Sequence, residues 1–264
     1  METIEPKDQM NLQAPKQMEI RLPEATGDLA QDEEWFELTI DGKTGRKIAF
    51  HDYSATFSIP GLYERLFYDM LECDSPRQVC ELLGGQLASE GREPGELRVL
   101  DVGAGNGIVG EELRELDVRE VVGVDIIEEA AGAAERDRPG VYDDYHVLDL
   151  TEIPEPTREE LCASEFNCMT SVAALGFGDI PPEAFAAAYN LLQPGSMVGF
   201  SLKDEMVSGE DSSGFSRLVD AAIAGRALDV KVEHRYRHRL NTKGEPLYYV
   251  AMIAQKRRDL PLLD

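Results

Sequence analysis

The sequence predicts an α/β fold: a mostly parallel sheet with helices on both faces and an antiparallel hairpin at one edge. Three observations carry that prediction. From Leu97 onward, short apolar runs of β character alternate with stretches at helical spacing. A glycine-rich turn, Gly103-Ala104-Gly105-Asn106-Gly107, sits where the first such run hands over to the first such helix. The chain closes on two long β-rich runs, VKVEHRYRHRL and PLYYVAMIAQKR, separated by a Thr-Lys-Gly turn.

Taken in order, residues 1–34 carry nine acids, three bases and three prolines with almost no apolar rhythm, and read as a flexible acidic tail. Residues 35–94 read as an N-terminal cap. WFELTI and RKIAFHDY flank Asp-Gly as a hairpin. SIPGLYERLFYDMLECDSPRQVCELLGGQL then gives two helices broken at Ser75-Pro76. Residues 95–264 form the core, compact with the cap as one domain. LRVLDV is its first strand, and Val109, Leu113 and Leu116 mark the helix that follows. REVVGVD, YHVLDL, FNCMTSV and SMVGFSL are further strands. EEAAGAAERD, a short stretch near 157–162, PPEAFAAAYNLL with proline in its first turn, and SGFSRLVDAAIAG are helices.

Composition narrows the function. The chain has 264 residues, with 18 Arg and 8 Lys against 51 Asp+Glu, a net charge of 26 − 51 = −25. Such a surface repels nucleic-acid backbones and anionic membranes, so neither is an expected partner. No apolar run approaches the ~20 residues of a membrane span, and METIEPKDQM does not resemble a signal peptide. The four cysteines form no C-x-x-C pair, which points to a reducing, cytoplasmic setting without a metal site. Low lysine with a large acid excess suits a protein of concentrated salt, and equally an ordinary acidic cytosolic one.

The turn VLDVGAGNGIVG has the strand-to-helix context of a nucleoside- or phosphate-binding site. Its glycines let backbone approach a ligand closely. Asp125, about 20 residues on at the end of the second strand, is placed to accept hydrogen bonds from ribose hydroxyls. The register Gly105-Asn106-Gly107-Ile108-Val109-Gly110 formally matches the dinucleotide fingerprint, so an NAD(P)-dependent oxidoreductase is one reading. Against it, Asp101 would repel a pyrophosphate, and no Tyr-x-x-x-Lys pair occurs. No Gly-Lys-Ser/Thr follows the turn, which excludes a P-loop.

VLDVGAGNG resembles motif I of the class I S-adenosylmethionine-dependent methyltransferases, and residues ~95–256 follow that family's order. The resemblance implies a Rossmann-like seven-stranded sheet ending in the edge hairpin, S-adenosylmethionine as cofactor and S-adenosylhomocysteine as product. It implies that Asp101 with the backbone of Gly103, Ala104, Gly105, Asn106 and Gly107 holds the amino-acid moiety. Asp125 would take the ribose with Ile126 against the adenine, Asp149 and Leu150 would meet the adenine edge, and Thr170 and Ser171 would line the pocket floor. HDYSATFSIPGLYERLFYDML and AALGFGDIPPEAF also look similar to the Williams–Beuren-region methyltransferase-like proteins. Asp179 stands where those often carry His, so that residue's role does not transfer.

Methyl transfer from a sulfonium rests largely on positioning and desolvation, with a base required only for a protonated acceptor. His51 and Tyr53, just ahead of the core, are the candidates for lid or base, and Tyr53 also for cofactor contact. Phe57, Tyr63, Phe177 and Asp179 are candidate pocket walls. His234 and His238 lie in the basic run RYRHRL on a strand, poor geometry for a metal pair, and the run reads as a solvated edge guarded by charge. No Asn/Asp-Pro-Pro-Tyr/Phe motif is present, which argues against a nucleic-acid base as acceptor. The sequence therefore predicts a methyltransferase acting on a small molecule, with a non-catalytic S-adenosylmethionine-binding protein as the other alternative. The oligomeric state is open.

Overall fold

The structure, a computed structural model, describes residues 17–23, 30–42, 45–176, 179–207 and 213–260. It opens with β1 (Met18–Arg21), β2 (Trp35–Ile40) and β3 (Arg46–Ala49), which form a three-stranded antiparallel sheet in that order. The prediction of a tail through residue 34 is therefore corrected. Met18 and Ile20 pack on the cap core, and Gln31 and Glu34 are buried. Composition missed this because four residues of strand, paired to a distant one, carry too few apolar positions to show a rhythm. The remainder of the tail, residues 1–16 and 24–29, lies outside the described residues.

The cap continues through α1 (Tyr53–Phe57) and α2 (Leu62–Glu64), which runs on as a π-helix over Arg65–Met70. π turns are rare and recur near functional sites. Its core joins Phe36 and Ile48 of the small sheet, and Phe50 just beyond it, to Leu62, Leu66 and Leu71, all nearly inaccessible to water.

The main sheet uses β4 (Arg98–Val102), β5 (Glu120–Asp125), β6 (Asp144–Val147), β7 (Cys168–Ser171), β8 (Met197–Lys203), β9 (Leu228–Leu240) and β10 (Pro246–Lys256). Their order is β6-β5-β4-β7-β8-β10-β9, parallel from β6 to β8 with β10 reversed between β8 and β9. The helices α3 (Ser75–Ser89), α4 (Ile108–Glu115), α5 (Glu128–Asp137), α6 (Glu155–Ala163), α7 (Pro182–Leu191), α8 (Asp204–Val207) and α9 (Phe215–Ala224) connect it.

Strand alternation builds two cores. Leu100 and Val102 of β4 face the layer of α6, α7 and α9, whereas Val99 faces α3 and α4. Val79, Leu83 and Leu87 of α3 belong to this second core, beside Met197 and Ile253. That corrects the cap boundary at residue 94: α3 is a sheet-covering helix, and the cap proper ends before Ser75. Each fully buried Leu or Val here contributes roughly 1.5–3 kcal/mol.

The chain runs β4 to β5 to β6 outward, then returns to place β7 on the other side of β4. The carboxyl ends of β4 and β7 thus flank the topological switch point, where open α/β sheets bind ligands. Among the described residues no helix is long and apolar enough to cross a membrane.

Candidate functional site

The glycine turn leaves β4 at Gly103 and enters α4 after Gly107. Gly103 (φ 73°) and Gly105 (φ 54°) both occupy the left-handed region. A Cβ on Gly103 would stand 2.7 Å from the Ala174 Cβ and 2.8 Å from Ile180, so the position admits only glycine. Asp125 fastens the turn from the next strand: its Oδ2 accepts the Gly105 N–H at 2.9 Å and its Oδ1 the Ile127 N–H at 3.0 Å. Tyr145 donates to the Gly105 carbonyl at 2.9 Å. Partial burial raises the Asp125 carboxyl above its ordinary range although these N–H groups hold it down.

Asp101 is placed differently from the sequence expectation. It is 1% exposed, beneath the turn, and lines neither cavity described below. Its oxygens accept the hydroxyls of Tyr142 and Thr170, each at 2.7 Å. Burial pushes its carboxyl up to about 6 against those two hydrogen bonds. Thr170 is therefore turned under the turn rather than toward a ligand. Ser171 is likewise buried and does not line the floor. The floor is made one step later, by Val172 and Ala173, the latter a non-glycine residue at φ 54°. Gly107 packs against Val141 and Arg138 below the turn, outside both cavities.

Two connected cavities lie at the switch point. The outer cleft, 460 Å³, is walled by the end of β5 (Asp125, Ile126, Ile127) and the segment after β6 (Leu148, Asp149, Leu150). Ile126 is 60% exposed, an apolar side chain left open in a cleft. The Thr151 hydroxyl and N–H hold the Asp149 carboxyl low. From the cap, Tyr53, Phe57 and Tyr63 close over the opposite side.

The inner chamber, 70 Å³, lies behind Gly103–Asn106 and shares His51, Tyr53, Tyr63, Val172, Ala173 and Asp179 with the cleft. It is polar and largely walled by residues the sequence reading did not assign to the site: Gln31, Tyr68, Cys73, His238, Arg239 and Tyr249. The Arg239 guanidinium is neutralised by Glu34 at 2.5 Å, both fully buried. Burial and that guanidinium drive His238 well below the ordinary histidine range, so its imidazole is neutral there. It lies 2.7 Å from the Ser75 hydroxyl and stacks on Tyr249.

RYRHRL is consequently only half the solvated edge it was read as. Arg235 and Arg237 face outward to Asp204 and Glu72, whereas Tyr236, His238 and Arg239 are buried. A register shift opposite Leu247/Tyr248 puts the consecutive residues His238 and Arg239 both inside. The alternation of Tyr236 and His238 was a readable signal; the bulge was not.

His51 and Asp179, 128 residues apart, meet where cleft and chamber join. The Nδ1 of His51 lies 3.1 Å from the Asp179 Oδ2, and the His51 ring stands edge-on to Tyr53. Thus the structure brings Gly103, Ala104, Gly105, Asn106, Asp125, Ile126, Asp149 and Leu150 to the cavities, with the cap candidates and Asp179 opposite. Phe177 lies outside the described residues.

A family described as "Methyltransferase domain" matches residues 72–242. A ubiquinone biosynthesis O-methyltransferase from Nitrosococcus oceani is 33% identical over 104 residues, 39% of this chain and 42% of that protein. The match therefore spans less than half the length of that relative. Among solved structures, a proposed RNA methyltransferase from Pyrococcus horikoshii superposes with TM-score 0.50 at 15% identity, covering 70% of this chain and 87% of that one. Magnesium protoporphyrin IX methyltransferase from Synechocystis, solved with S-adenosylmethionine, gives TM-score 0.47 at 16% identity over 68% and 78% of the two chains. With the family match spanning well over half of its residues, the chain belongs to the class I S-adenosylmethionine-dependent methyltransferases.

Proposed function

We propose that this protein transfers a methyl group from S-adenosylmethionine to a small-molecule acceptor, releasing S-adenosylhomocysteine. The observation that carries the reading is the cleft at the switch point, with Asp125 in its wall and open apolar side chains beside it. These residues fit the cofactor. Asp125 has lone pairs beyond its two backbone bonds for ribose hydroxyls, Ile126 and Leu150 offer apolar faces to an adenine, and Asp149 can accept at its edge. The backbone of Gly103, Ala104 and Gly105, where side chains would intrude, leaves room for the amino-acid end. Asp101 supports that end only from beneath, through the turn.

When bound, the sulfonium supplies an electrophilic methyl carbon. The chain's own part is to orient and to exclude water, through Tyr53, Phe57 and Tyr63 above and Val172 and Ala173 below. A small acceptor is supported by the enclosure of the inner chamber and by the net charge of −25, which opposes polyanions. The pairing of Arg235 and Arg237 with acids supports it as well. The likeness to an O-methyltransferase of ubiquinone biosynthesis, over 104 residues, points the same way. The unbridged cysteines support a cytoplasmic setting.

Calorimetry decides between cofactors. S-adenosylhomocysteine is expected to bind, and Asp125→Ala to weaken it by about 1–3 kcal/mol through lost charge-assisted hydrogen bonds. Tight NADH binding without S-adenosylhomocysteine binding would establish the oxidoreductase reading instead. Release of S-adenosylhomocysteine in the presence of an acceptor panel separates an enzyme from a non-catalytic binder.

A further inference from the structure

The inner chamber holds an orphaned acceptor. Gln31, 8% exposed, is one of its walls. The side-chain N–H of Gln31 donates to the Tyr249 hydroxyl at 2.9 Å, while its Oε1 is buried without a hydrogen-bond partner among the described residues. Buried amide oxygens are nearly always satisfied, so an unsatisfied one beside a cavity marks where a ligand's donor belongs.

The charged groups around the chamber are already engaged. The Arg239 guanidinium meets Glu34 at 2.5 Å and also donates to the Leu240 carbonyl at 2.8 Å. The other Glu34 oxygen accepts the Thr242 N–H at 2.8 Å. Asp179, at the mouth, lies 3.1 Å from His51. Burial holds the hydroxyls of Tyr53, Tyr63, Tyr68 and Tyr249 and the Cys73 thiol protonated. Burial and Arg239 together keep His238 neutral. Among the described residues, an anion entering the chamber meets no uncommitted cation, and a cation meets no uncommitted acid. Either would lose its hydration without replacement.

Size sets a second limit. The chamber, 70 Å³, is under half the ~150 Å³ that admits benzene, so it takes about four non-hydrogen atoms and no ring. The outer cleft, 460 Å³, has the volume for the cofactor. The cofactor's amino-acid end is a zwitterion, and the engaged ions of the chamber do not match it. Cleft and chamber share Tyr53, Tyr63, Val172, Ala173 and Asp179. A group seated in the chamber therefore belongs to a molecule that meets the methyl donor at that junction.

We propose that the chamber is the recognition subsite for the methyl acceptor, taking a short uncharged substituent that donates an N–H or O–H. A primary carboxamide or a hydroxyl meets that description. Gln31 is the specificity-determining residue, its Oε1 accepting the donated hydrogen. This rests on the methyltransferase reading above. The methyl-accepting atom then stands at the junction, between the cap tyrosines and Val172–Ala173.

The test uses three probes of one shape and different charge: acetamide, acetate and acetamidinium. In the wild-type chain saturated with S-adenosylhomocysteine, acetamide is expected to bind with a dissociation constant on the order of millimolar, as so few atoms allow. Nuclear Overhauser contacts should place it beside the Tyr249 and His238 rings. Acetate and acetamidinium should bind roughly tenfold more weakly or worse. Gln31→Met keeps the volume and removes the acceptor, and should weaken acetamide by roughly tenfold while leaving S-adenosylhomocysteine affinity unchanged. Gln31→Glu keeps an acceptor and adds a charge, and should make acetamidinium the tightest of the three. This second variant decides the matter where the first fails to fold. No saturable acetamide binding, or acetate or acetamidinium binding as tightly in the wild type, overturns the proposal. So does acetamide affinity unchanged in Gln31→Met, or an unchanged order of probes in Gln31→Glu. Acetamide that binds only without S-adenosylhomocysteine would assign the chamber to the cofactor and overturn the acceptor subsite. Failure of the wild-type chain to bind S-adenosylhomocysteine overturns the cofactor reading instead, and is seen before any probe is added.

Discussion

Asp101 and Asp125 lie on neighbouring strands and on the same face of the sheet, and what separates them is that Asp125 stands two residues further toward the carboxyl end. Asp101 points into the α3/α4 layer and spends its oxygens on Tyr142 and Thr170. Asp125 reaches the cleft while holding the turn. The buried acid has a measurable consequence. Its carboxyl, raised to about 6 in the folded protein, ionises near 3.8 when unfolded, so ionisation costs the folded state more than the unfolded one. The favourable contribution is complete below pH ~4 and is lost as pH rises through about 6. Urea unfolding at pH 4 and pH 7 is expected to show Asp101→Asn gaining on wild type by on the order of 2–3 kcal/mol over that window. A pH-independent difference would mean that the carboxyl is not raised.

Among the elements, Arg138 ties the cap to two parts of the core. Arg138, just past α5, reaches Glu64 of the cap at 2.5 Å, Glu111 of α4 at 2.7 Å and the Asn106 carbonyl at 3.3 Å. Beside it, Phe57 seats on Ala130 and Ala133 of α5, and its backbone carbonyl accepts from Arg136. Arg138→Ala leaves two acids without their counter-ion beside the glycine turn. The expected outcome is a loss of about 1–3 kcal/mol and faster amide hydrogen exchange over residues 53–71 than over the main sheet. Uniform exchange rates would show that the apolar seam alone holds the cap.

Most of these elements were legible. The parallel strands read as apolar runs because both faces are covered, and α4 and α7 announced themselves by spacing and by proline in the first turn. β1 and the true affiliation of α3 were not legible. A four-residue strand has too little pattern, and an amphipathic helix reports that it has an apolar face, not which layer that face meets.

For the whole molecule, the sequence carries a net charge of −25. Its pairs, such as Arg77 with Asp74 and Glu81, are mostly exposed and worth little each. Acids outnumber bases 51 to 26, so screening is expected to raise the thermal midpoint between 0.1 and 1 M KCl, as the Debye length falls from about 10 to 3 Å. A falling midpoint would mean that the pairs outweigh the repulsion.

The sequence by itself determined the fold class, the glycine turn, the place of Asp125 and the cofactor family. These rest on order and spacing along one stretch of chain, which local geometry translates directly. Only the tertiary structure decided that Asp101 and Thr170 serve the turn from beneath, and that Gln31, Cys73, His238 and Arg239 wall one chamber. The meeting of His51 with Asp179 was decided there too. Those contacts bridge up to 218 residues, as in Gln31 with Tyr249, and depend on strand order, a bulge and the docking of the cap. Periodicity tells which face a side chain takes within its element; it does not tell which faces meet.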